Sequence, residues 1–257
     1  MRVAKLVLFG LIAFLITVLV RFPAAPVIDR LRPQLGPVAL EGVDGALVDG
    51  RIARARSTDD LLPLEFSDVT WTLAPLALLS GAAADITFRG YGGDGGGRVL
   101  RAWNGDLRVD DLDFTADAKA LEPLLPVPIA AFSGALAGDI ARVVLEEQLL
   151  STLEGSLVWS EAVLERPVGA VLGTVDIDVE KTSEKRHVIT LAAAGGDVAV
   201  EGTVSLELDG EFVADVLLTP AASASPELLA AIGRVARPES GGRFRLRQEG
   251  NVNRLAG

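Results

Sequence analysis

Four groups of residues in this chain have types and spacings that could support chemistry, and the first is rich in glycine. Gly90, Gly92 and Gly95 match the G-x-G-x-x-G pattern, which binds a dinucleotide where a strand meets a helix. ADITFRG, directly before the pattern, is a plausible strand, but two more glycines and RVLRAW follow in place of an amphipathic helix. Because the pyrophosphate needs the N-terminus of that helix, we expect a flexible hairpin loop at residues 90–97 and no cofactor.

The second candidate is the single histidine. His187 follows two basic residues at the start of a predicted strand, and the chain contains no cysteine. Metal sites built on imidazole or thiolate combine several such ligands, and this chain offers one. We therefore expect His187 to be a surface residue rather than a metal ligand or a general base, and we expect no metal site.

The third candidate consists of three aspartates. Asp110, Asp111 and Asp113 interrupt the two-residue alternation between two apolar pairs of a predicted strand. A calcium loop would require more oxygen ligands at defined spacing. We expect a bulge or a turn at these residues.

The fourth candidate consists of alternating arginines. Arg243, Arg245 and Arg247 are separated by Phe and Leu, so all three share one face of a strand. Such a strand could bind an acidic partner, or it could protect a sheet edge from pairing with another chain. We favour the second interpretation. Since the chain has no G-x-S-x-G, P-loop or H-E-x-x-H pattern, we do not expect an enzyme.

The composition excludes further classes of function. The chain has 257 residues, a net charge of -11 and no cysteine. An acidic chain without a basic tract does not fit nucleic-acid binding, which depends on phosphate neutralisation. Disulfides, thiolate metal sites and cysteine nucleophiles are absent. After the N-terminal apolar segment, roughly 220 residues remain, which suffices for one large or two small domains.

This N-terminal segment determines where the rest of the chain is located. Leu6 to Val20, LVLFGLIAFLITVLV, lies between Lys5 and Arg21. As a helix it would be roughly 22 Å long, shorter than the roughly 30 Å core of a bilayer, so its length fits an anchor or a signal peptide. Cleavage after Ala24 or Ala25 would place Phe or Pro at the third position before the cut, where a small residue is needed.

We therefore predict a retained anchor with a single membrane pass and the N-terminus inside. The predicted parts are a cytoplasmic tail (1–5), a transmembrane anchor (6–22), a proline-rich connector (23–37) and a periplasmic β-rich domain (38–257), with a sub-boundary open near 123–128. In the connector, four prolines leave room for at most one helical turn, around Ile28 to Arg32.

The apolar residues that follow the connector recur with a period of two, which indicates β-strands. The alternation is clear in LEFSDVTWTL, ADITF and LEGSLVW. Further on, Val171, Val175, Ile177 and Val179 share one parity, and three acidic residues lie on the other. This pattern predicts a half-buried strand with an acidic outer face.

One hairpin is predicted in detail, at TVSLELDGEFVADVLL. Its apolar residues lie at even positions in both strands, and paired residues must share a face. A two-residue Asp-Gly turn would mix the faces. A three-residue loop with Gly210 in the left-handed conformation instead pairs Leu206 with Phe212 and Val204 with Ala214.

Helices are expected to be few. Pro75–Leu79 allows a turn, and Asp117–Leu125 allows a short helix interrupted by proline. Pro226–Arg237 is the best candidate, because Ser225 can cap it and Pro fits its first position. Its apolar stripe consists of Leu228, Leu229, Ile232 and Val235. We expect this helix to lie across one end of a sheet.

The predicted fold class is mainly β: an N-terminal transmembrane helix, then a curved, mostly antiparallel sheet that forms an open groove or half-barrel, with a few short helices. The sequence is compatible with one continuous sheet and with two packed halves. The strands create a wide apolar face, which short helices cover only in part. A second sheet, a partner subunit or acyl chains would have to cover the remainder.

Several stretches resemble one bacterial family. DGALVDGR, WTLAPLALLSG, the region from Leu157 to Ile177, DGEFVADVLLTP, PELLAAIGRVAR and GGRFRLRQEGNV are similar, in this order, to protein N of the bacterial type II secretion system. Val48 stands where this family usually carries tryptophan. The resemblance implies architectural rather than catalytic roles for Gly45, Leu47, Gly50, Trp71, Pro75, Gly81, Trp159, Gly210 and Pro220.

The resemblance also implies a location and partners. It suggests a single-pass protein of the inner membrane with a periplasmic domain, which serves an apparatus that exports folded proteins across the outer membrane. Other type II secretion subunits and inner-membrane lipid are the implied partners, and nucleic acid is not. The family is similar to AsmA-like envelope proteins, whose curved sheets hold lipid. The alternative is therefore a lipid-binding or lipid-transfer protein with acyl chains in an apolar groove.

Overall fold

The computed structural model of the chain describes residues 21–31, 38–57, 63–74, 81–124, 131–146, 149–166, 169–183 and 185–251. The helices are α1 (Ala24–Leu31) and α2 (Pro226–Val235), with short 3-10 segments at Ala118–Leu124 and Ser240–Gly242. The strands are β1 (Val38–Gly45), β2 (Asp49–Ser57), β3 (Glu65–Leu73), β4 (Gly81–Gly90), β5 (Gly93–Ala102), β6 (Leu107–Asp117), β7 (Ala131–Glu146), β8 (Leu149–Arg166), β9 (Ala170–Ser183), β10 (Arg186–Gly195), β11 (Val198–Glu207), β12 (Glu211–Pro220), β13 (Arg237–Pro238) and β14 (Phe244–Asn251).

All of these strands belong to one open sheet. Its order is β1 to β12 in sequence, followed by β14 and β13, and every described pair of neighbours is antiparallel. The sheet continues across residues 125–130, because β6 pairs with β7 from Leu107↔Leu145 to Asp117↔Ala135. The predicted mainly β, antiparallel fold is confirmed, and the sheet is a single one rather than two packed halves.

The two faces of the sheet differ in chemistry, as two adjacent rows of cross-strand partners show. One row, the apolar row, runs from β4 to β14 and consists of Phe88, Gly95, Phe114, Gly138, Leu157, Ile177, Leu191, Gly202, Val216 and Leu246. The next row, the polar row, runs from β3 to β14 and consists of Thr70, Thr87, Gly96, Asp113, Asp139, Ser156, Asp178, Thr190, Thr203, Asp215 and Arg247. Since successive residues of a strand point to opposite faces, the sheet has an apolar face and a polar face.

The core of this sheet is thin. No side chain in the described ranges is both large and fully buried, and most of the buried apolar residues are alanines. Aromatic rings cover glycines of neighbouring strands instead. A Cβ on Gly138 would overlap the ring of Phe114, and a Cβ on Gly95 would meet Phe88 at 2.7 Å. Side chains within one layer thus supply packing that a second layer supplies in a sandwich.

The predicted hairpin is confirmed. Leu206 pairs with Phe212 and Val204 with Ala214. Gly210 has a φ of 88°, and its N–H donates to the Glu207 carbonyl at 2.9 Å. The requirement that paired side chains share a face therefore outweighs the preference of Asp-Gly for a two-residue turn.

The predicted helix across a sheet end is confirmed as α2. The Ser225 hydroxyl accepts a hydrogen bond from the Leu228 N–H at 3.1 Å. Leu228 and Ile232 are buried against the ends of β9 and β11, whose Ala170 and Val198 belong to the same cluster. The predicted stripe is wrong at two members, because Leu229 is 39% exposed and Val235 is 66% exposed. Val235 is the last residue of the helix, and the chain becomes extended directly after it.

Two other helical predictions need correction. The connector contains a helix of eight residues, α1, rather than a single turn. Pro26 is compatible with α1 because it lies in the first turn, where a backbone N–H has no partner within the helix. The segment predicted as a short helix from Asp117 is a 3-10 helix with Pro123 inside it, and the Asp117 carboxylate accepts from the Lys119 N–H at 2.9 Å. The turn predicted at Pro75–Leu79 lies outside the described residues.

The glycine-rich stretch is not a flexible loop, and this prediction is wrong. Gly90 and Gly93 are paired, so only Tyr91 and Gly92 form the turn, with φ values of 52° and 81°. The following glycines are part of β5. A Cβ on Gly95 would meet the ring of Phe88 and the Cβ of Phe114 on the two neighbouring strands, so the packing requires a missing side chain at this position.

The aspartate prediction is confirmed as a bulge. Asp111 has a φ of 51°, and the register between β5 and β6 shifts beside it. Asp110 lies between two guanidinium groups, at 2.7 Å from Arg108 and 3.3 Å from Arg142. Their hydrogen bonds and charges lower the pKa of Asp110 against the opposing effect of its burial, which is the largest single influence.

The surface position predicted for His187 is wrong. Only 3% of this residue is exposed, and its Nε2 accepts the Leu153 N–H at 3.0 Å. The described pairing of β8 with β9 begins at Gly155↔Val179, so the imidazole takes the place of a strand partner for Leu153. Burial, and then the charge of Lys181, lowers the pKa of His187, while Glu154 acts in the opposite direction.

A buried neutral histidine makes stability depend on pH. We expect the free energy of unfolding to fall as the pH drops below about 6.5, the ordinary pKa of histidine. Below this pH the unfolded chain binds a proton at His187, whereas in the folded chain the lowered pKa keeps the imidazole neutral. The fall should end once His187 is protonated in the folded state as well. Urea unfolding of the full-length chain from about pH 7.5 to about pH 5.5 measures this change.

The variant His187→Gln is the control, because it keeps a hydrogen-bond acceptor and cannot titrate. His187 is the only histidine in the chain, so the variant should show no such fall in this pH range. An equal pH dependence in both proteins would contradict the assignment.

Candidate functional site

Four of the positions singled out by the family resemblance meet at the turn between β1 and β2. We call residues 44–50 the first turn. The indole Nε1 of Trp71, on β3, donates to the Leu47 carbonyl at 2.9 Å. The six-membered ring of Trp71 lies over Gly50, where a Cβ would overlap it. Gly45 completes the set, with a φ of 91° that favours glycine.

Backbone hydrogen bonds close the first turn. The Ala46 N–H donates to the Asp49 carbonyl at 2.7 Å, and the Leu73 N–H donates to the Val48 carbonyl at 2.7 Å. The Asp44 carboxylate accepts from the Gly45 N–H at 2.7 Å. The turn is thus fixed both within itself and from β3, which leaves it little conformational freedom.

The first turn also holds the chain that leads in from the N-terminal segment. The Leu47 N–H donates to the Phe22 carbonyl at 2.8 Å, and Pro23 forms an antiparallel bridge with Ala46. The next residue, Ala24, begins α1 and has no exposed surface. Both backbone groups of Leu47 are therefore used: its N–H binds Phe22, and its carbonyl binds Trp71.

An ion pair lies on β2 and β3 next to this turn. Arg51 binds Asp68, which sits at a bulge of β3 with a φ of 50°, and Arg89 approaches the same carboxylate at 3.4 Å. The hydrogen bond and the charge of Arg51 lower the pKa of Asp68. This pair is solvent-exposed, so we assign it little stabilising energy.

Trp159 repeats the arrangement elsewhere in the sheet. Its Nε1 donates to the Ser133 carbonyl at 3.1 Å, and its ring lies 5.8 Å from the ring of Phe132. A Cβ on Gly134 would meet the indole nitrogen at 2.8 Å. In both places a tryptophan lies over a glycine and binds a carbonyl of a neighbouring segment.

The remaining predicted positions are not brought together with the first turn. Gly81 begins β4, Gly210 forms the β11–β12 turn and Pro220 ends β12 opposite Val198. A side chain on Gly81 would overlap the Arg101 carbonyl. Pro75 lies outside the described residues.

The three alternating arginines are only partly a strand. Arg243 precedes β14 and donates to the Ser240 carbonyl at 3.3 Å. Arg245 binds both carboxylate oxygens of Asp215, at 2.7 and 3.0 Å, and lowers the pKa of this group. Arg247 lies 3.8 Å from the same carboxylate. β13 pairs only with Phe244 and Arg245, so the remainder of β14 forms one edge of the described sheet, where the predicted edge strand would lie.

The geometry of these positions is that of packing and hydrogen bonding. In the residues that the structure describes, no group of three or more His, Cys, Asp or Glu side chains could hold a metal ion. The role of Phe22 is a contact that the sequence analysis missed. Its carbonyl binds the turn through the backbone, and a backbone acceptor has no residue-type signal.

The fold is a single antiparallel β-sheet with one apolar face, and the first turn is fixed by packing and hydrogen bonds. The family model described as type II secretion system (T2SS), protein N, matches residues 36–247. The chain is 31% identical to type II secretion system protein N of Vibrio cholerae serotype O1 over 245 residues, which covers 92% of this chain and 93% of that protein. It is 26% identical to type II secretion system protein N of Aeromonas hydrophila over 249 residues, which covers 94% and 96%.

No solved structure matches this chain. On the family match and the relatives, the chain belongs to the type II secretion system protein N family. The resemblance drawn from its sequence motifs is therefore confirmed.

The bond from Trp71 to Leu47 can be tested by removing one donor. Trp71→Phe removes the indole N–H and the outer ring atoms that lie over Gly50, and it leaves the Leu47 carbonyl without this partner. We therefore expect a loss of about 1–3 kcal/mol in the free energy of unfolding. Trp103→Phe is the matched control, because Trp103 is 72% exposed, and it should cost under about 0.5 kcal/mol. Denaturant unfolding compares the two.

A double-mutant cycle with Gly50→Ala completes this test. The added methyl group overlaps the indole, so it should cost about 1–3 kcal/mol in the parent and less beside the smaller ring of Trp71→Phe. If Trp71→Phe and Trp103→Phe lowered the free energy of unfolding equally, the hydrogen bond from Trp71 to Leu47 would contribute no stability. If the effects of Trp71→Phe and Gly50→Ala were strictly additive, the contact between Trp71 and Gly50 would contribute none.

Proposed function

We propose that this chain is an inner-membrane-anchored component of type II secretion, with a structural role, whose periplasmic sheet binds another secretion subunit through its apolar face. Membership of the protein N family makes the chain a type II secretion component. The membrane anchor, the orientation and the partner are the parts that we propose. The apolar row, continuous from β4 to β14, is the observation that carries the proposal.

A binding role follows from how little covers the apolar face. In the described ranges, α2 packs over one end of this face, near β9, β11 and β14, and no large side chain is fully buried. The side chains of the apolar row are half-buried or buried rather than fully exposed. A partner on this face would cover the part of them that is still accessible, along a row that runs from β4 to β14, which favours an interaction site. Another subunit of the secretion system is the partner that the family favours.

The contacts of Phe22 and Pro23 with the first turn support a retained anchor, because cleavage by a signal peptidase would remove both residues. The predicted anchor, residues 6–22, lies almost entirely outside the described residues, and no helix within the described part is long and apolar enough to cross a bilayer. Cleavage after Ala24 or Ala25 would separate Phe22 and Pro23 from the first turn. A removable signal peptide is not expected to contribute such bonds to the mature fold.

The orientation follows the sequence prediction. The basic residues Arg2 and Lys5 precede the apolar segment, so we place the residues before this segment in the cytoplasm and residues 38–257 in the periplasm. We assign no enzymatic activity, because the positions shared with the family act by packing and hydrogen bonding in the first turn.

A lipid-binding or lipid-transfer role is the second candidate. It is favoured by the uninterrupted course of the apolar row, which offers acyl chains a continuous path across neighbouring strands. Both candidates use the same face of the sheet, and they differ in what covers it.

Two adjacent residues on β8 can separate these candidates. Leu157 belongs to the apolar row and Ser156 to the polar row, so a photo-crosslinking amino acid at each position probes opposite faces at the same depth in the sheet. In secreting cells we expect the probe at 157 to capture a secretion subunit and the probe at 156 to capture none. Mass spectrometry identifies the adducts, and circular dichroism of each purified variant confirms that it is folded.

The other outcomes have defined meanings. Phospholipid adducts at 157 without protein adducts would favour the lipid carrier over the subunit contact. Equal capture of a secretion subunit from both faces, or no adduct at 157 and at a second apolar-row position such as 177, would contradict a role for the apolar face.

A further inference from the structure

We infer that the first turn is the end of the sheet that faces the membrane, and that Phe22 and the exposed surface of α1 rest on the phospholipid headgroups. This inference depends on the anchor in the proposed function. An anchor alone does not determine which part of the sheet meets the bilayer, nor how the first strands are directed.

The length of the chain between the apolar segment and Phe22 limits how far the first turn can lie from the membrane. The apolar segment ends at Val20, and Phe22 is two residues further on. Two residues span at most about 7 Å, and the Phe22 carbonyl is hydrogen-bonded to Leu47 at 2.8 Å. The first turn therefore lies within about 10 Å of the end of the apolar segment.

β1 and β2 both run between the first turn and the opposite end of the sheet. Gly45 and Gly50 are paired next to the first turn, and Val38 and Ser57 are paired at the other end of β1 and β2. Seven residues of strand separate these pairs, which corresponds to about 23 Å. Since Phe22 and Pro23 bind beside the first turn, β1 and β2 extend away from the anchor.

The surface beside the predicted anchor combines an aromatic side chain with basic ones. Phe22 is 43% exposed, and Arg21 and Arg30 are exposed on either side of it along the chain. An aromatic ring with flanking basic side chains suits the boundary between acyl chains and phosphate groups. Asp44 and Asp49 add negative charge at the turn, so we expect the covalent tether, rather than charge attraction, to impose most of this contact.

The connection between Phe22 and the sheet is rigid. Leu47 is bound to Phe22 on one side and to Trp71 on the other, and α1 begins with the fully buried Ala24. A tether joined to a sheet through both hydrogen bonding and packing does not behave as a flexible linker. The geometry thus points to a sheet that is mounted on the membrane at a defined end.

Fluorescence quenching in vesicles tests this inference. The chain has no cysteine, so single cysteines in the full-length protein can be labelled without background. Asp49→Cys places a fluorophore in the first turn, and Glu65→Cys places it at the distant end, opposite Arg56 on β2. Both residues are exposed. The vesicles contain phosphatidylethanolamine, phosphatidylglycerol and a lipid with a spin-labelled headgroup as quencher.

We expect the label at 49 to be quenched at least about threefold more than the label at 65, which is about 23 Å further from the first turn along the strands. Flotation with the vesicles is measured on the same samples and reports on the anchor itself. Protein that floats with equal quenching at both positions, or with stronger quenching at 65, would overturn the inference and leave the anchor intact. Protein that does not float would overturn the anchor and the inference together.

Discussion

A sheet that is one layer thick cannot bury both of its faces, and most features of this protein follow from that constraint. Alternation along the strands separates apolar from polar side chains so strictly that neighbouring rows differ across ten or more strands. Within the described part of the chain, the apolar side has only short helices against it, and the buried residues are accordingly small. Much of the usual stabilisation by a closed hydrophobic core is absent, so contacts within the layer and contacts with a partner gain in importance.

Contacts within the layer use glycine in a way that suits this architecture. A glycine leaves a gap on a strand, and an aromatic ring from the next strand fills it, as Phe114 does over Gly138 and Trp71 over Gly50. Tryptophan adds a hydrogen bond to a carbonyl, which fixes a turn as well as covering it. At the first turn the same device joins the sheet to the residues that follow the N-terminal segment. The contact between the motif and these residues therefore passes through the backbone of Leu47, whose N–H and carbonyl both have partners.

Much of this fold can be read from the sequence because its determinants are local. A period of two residues identifies the strands, face matching fixes the register at Leu206 and Phe212, and Ser225 with Pro226 marks the start of α2. The errors arise where distant strands decide the outcome. His187 has charged neighbours in sequence, but it fills a gap in the pairing of another strand. The glycines after Gly92 look like a loop, but they lie in β5, where Phe88 and Phe114 of the neighbouring strands leave no room for a side chain at Gly95. The family positions can be named from the sequence, whereas the hydrogen bond of one of them, Leu47, with Phe22 cannot.

The central claim is that the apolar face is open in the isolated protein and covered in the working secretion system. Hydroxyl-radical footprinting measures side-chain exposure and can be applied to the purified full-length protein and to membranes that contain the assembled system. We predict that Phe88, Phe114, Leu157 and Leu191, all in the apolar row, react in the purified protein and are protected in the assembly, while the reactivity of exposed Trp103 changes little. Equal reactivity of the apolar row in both states, or protection confined to the polar face, would contradict the account.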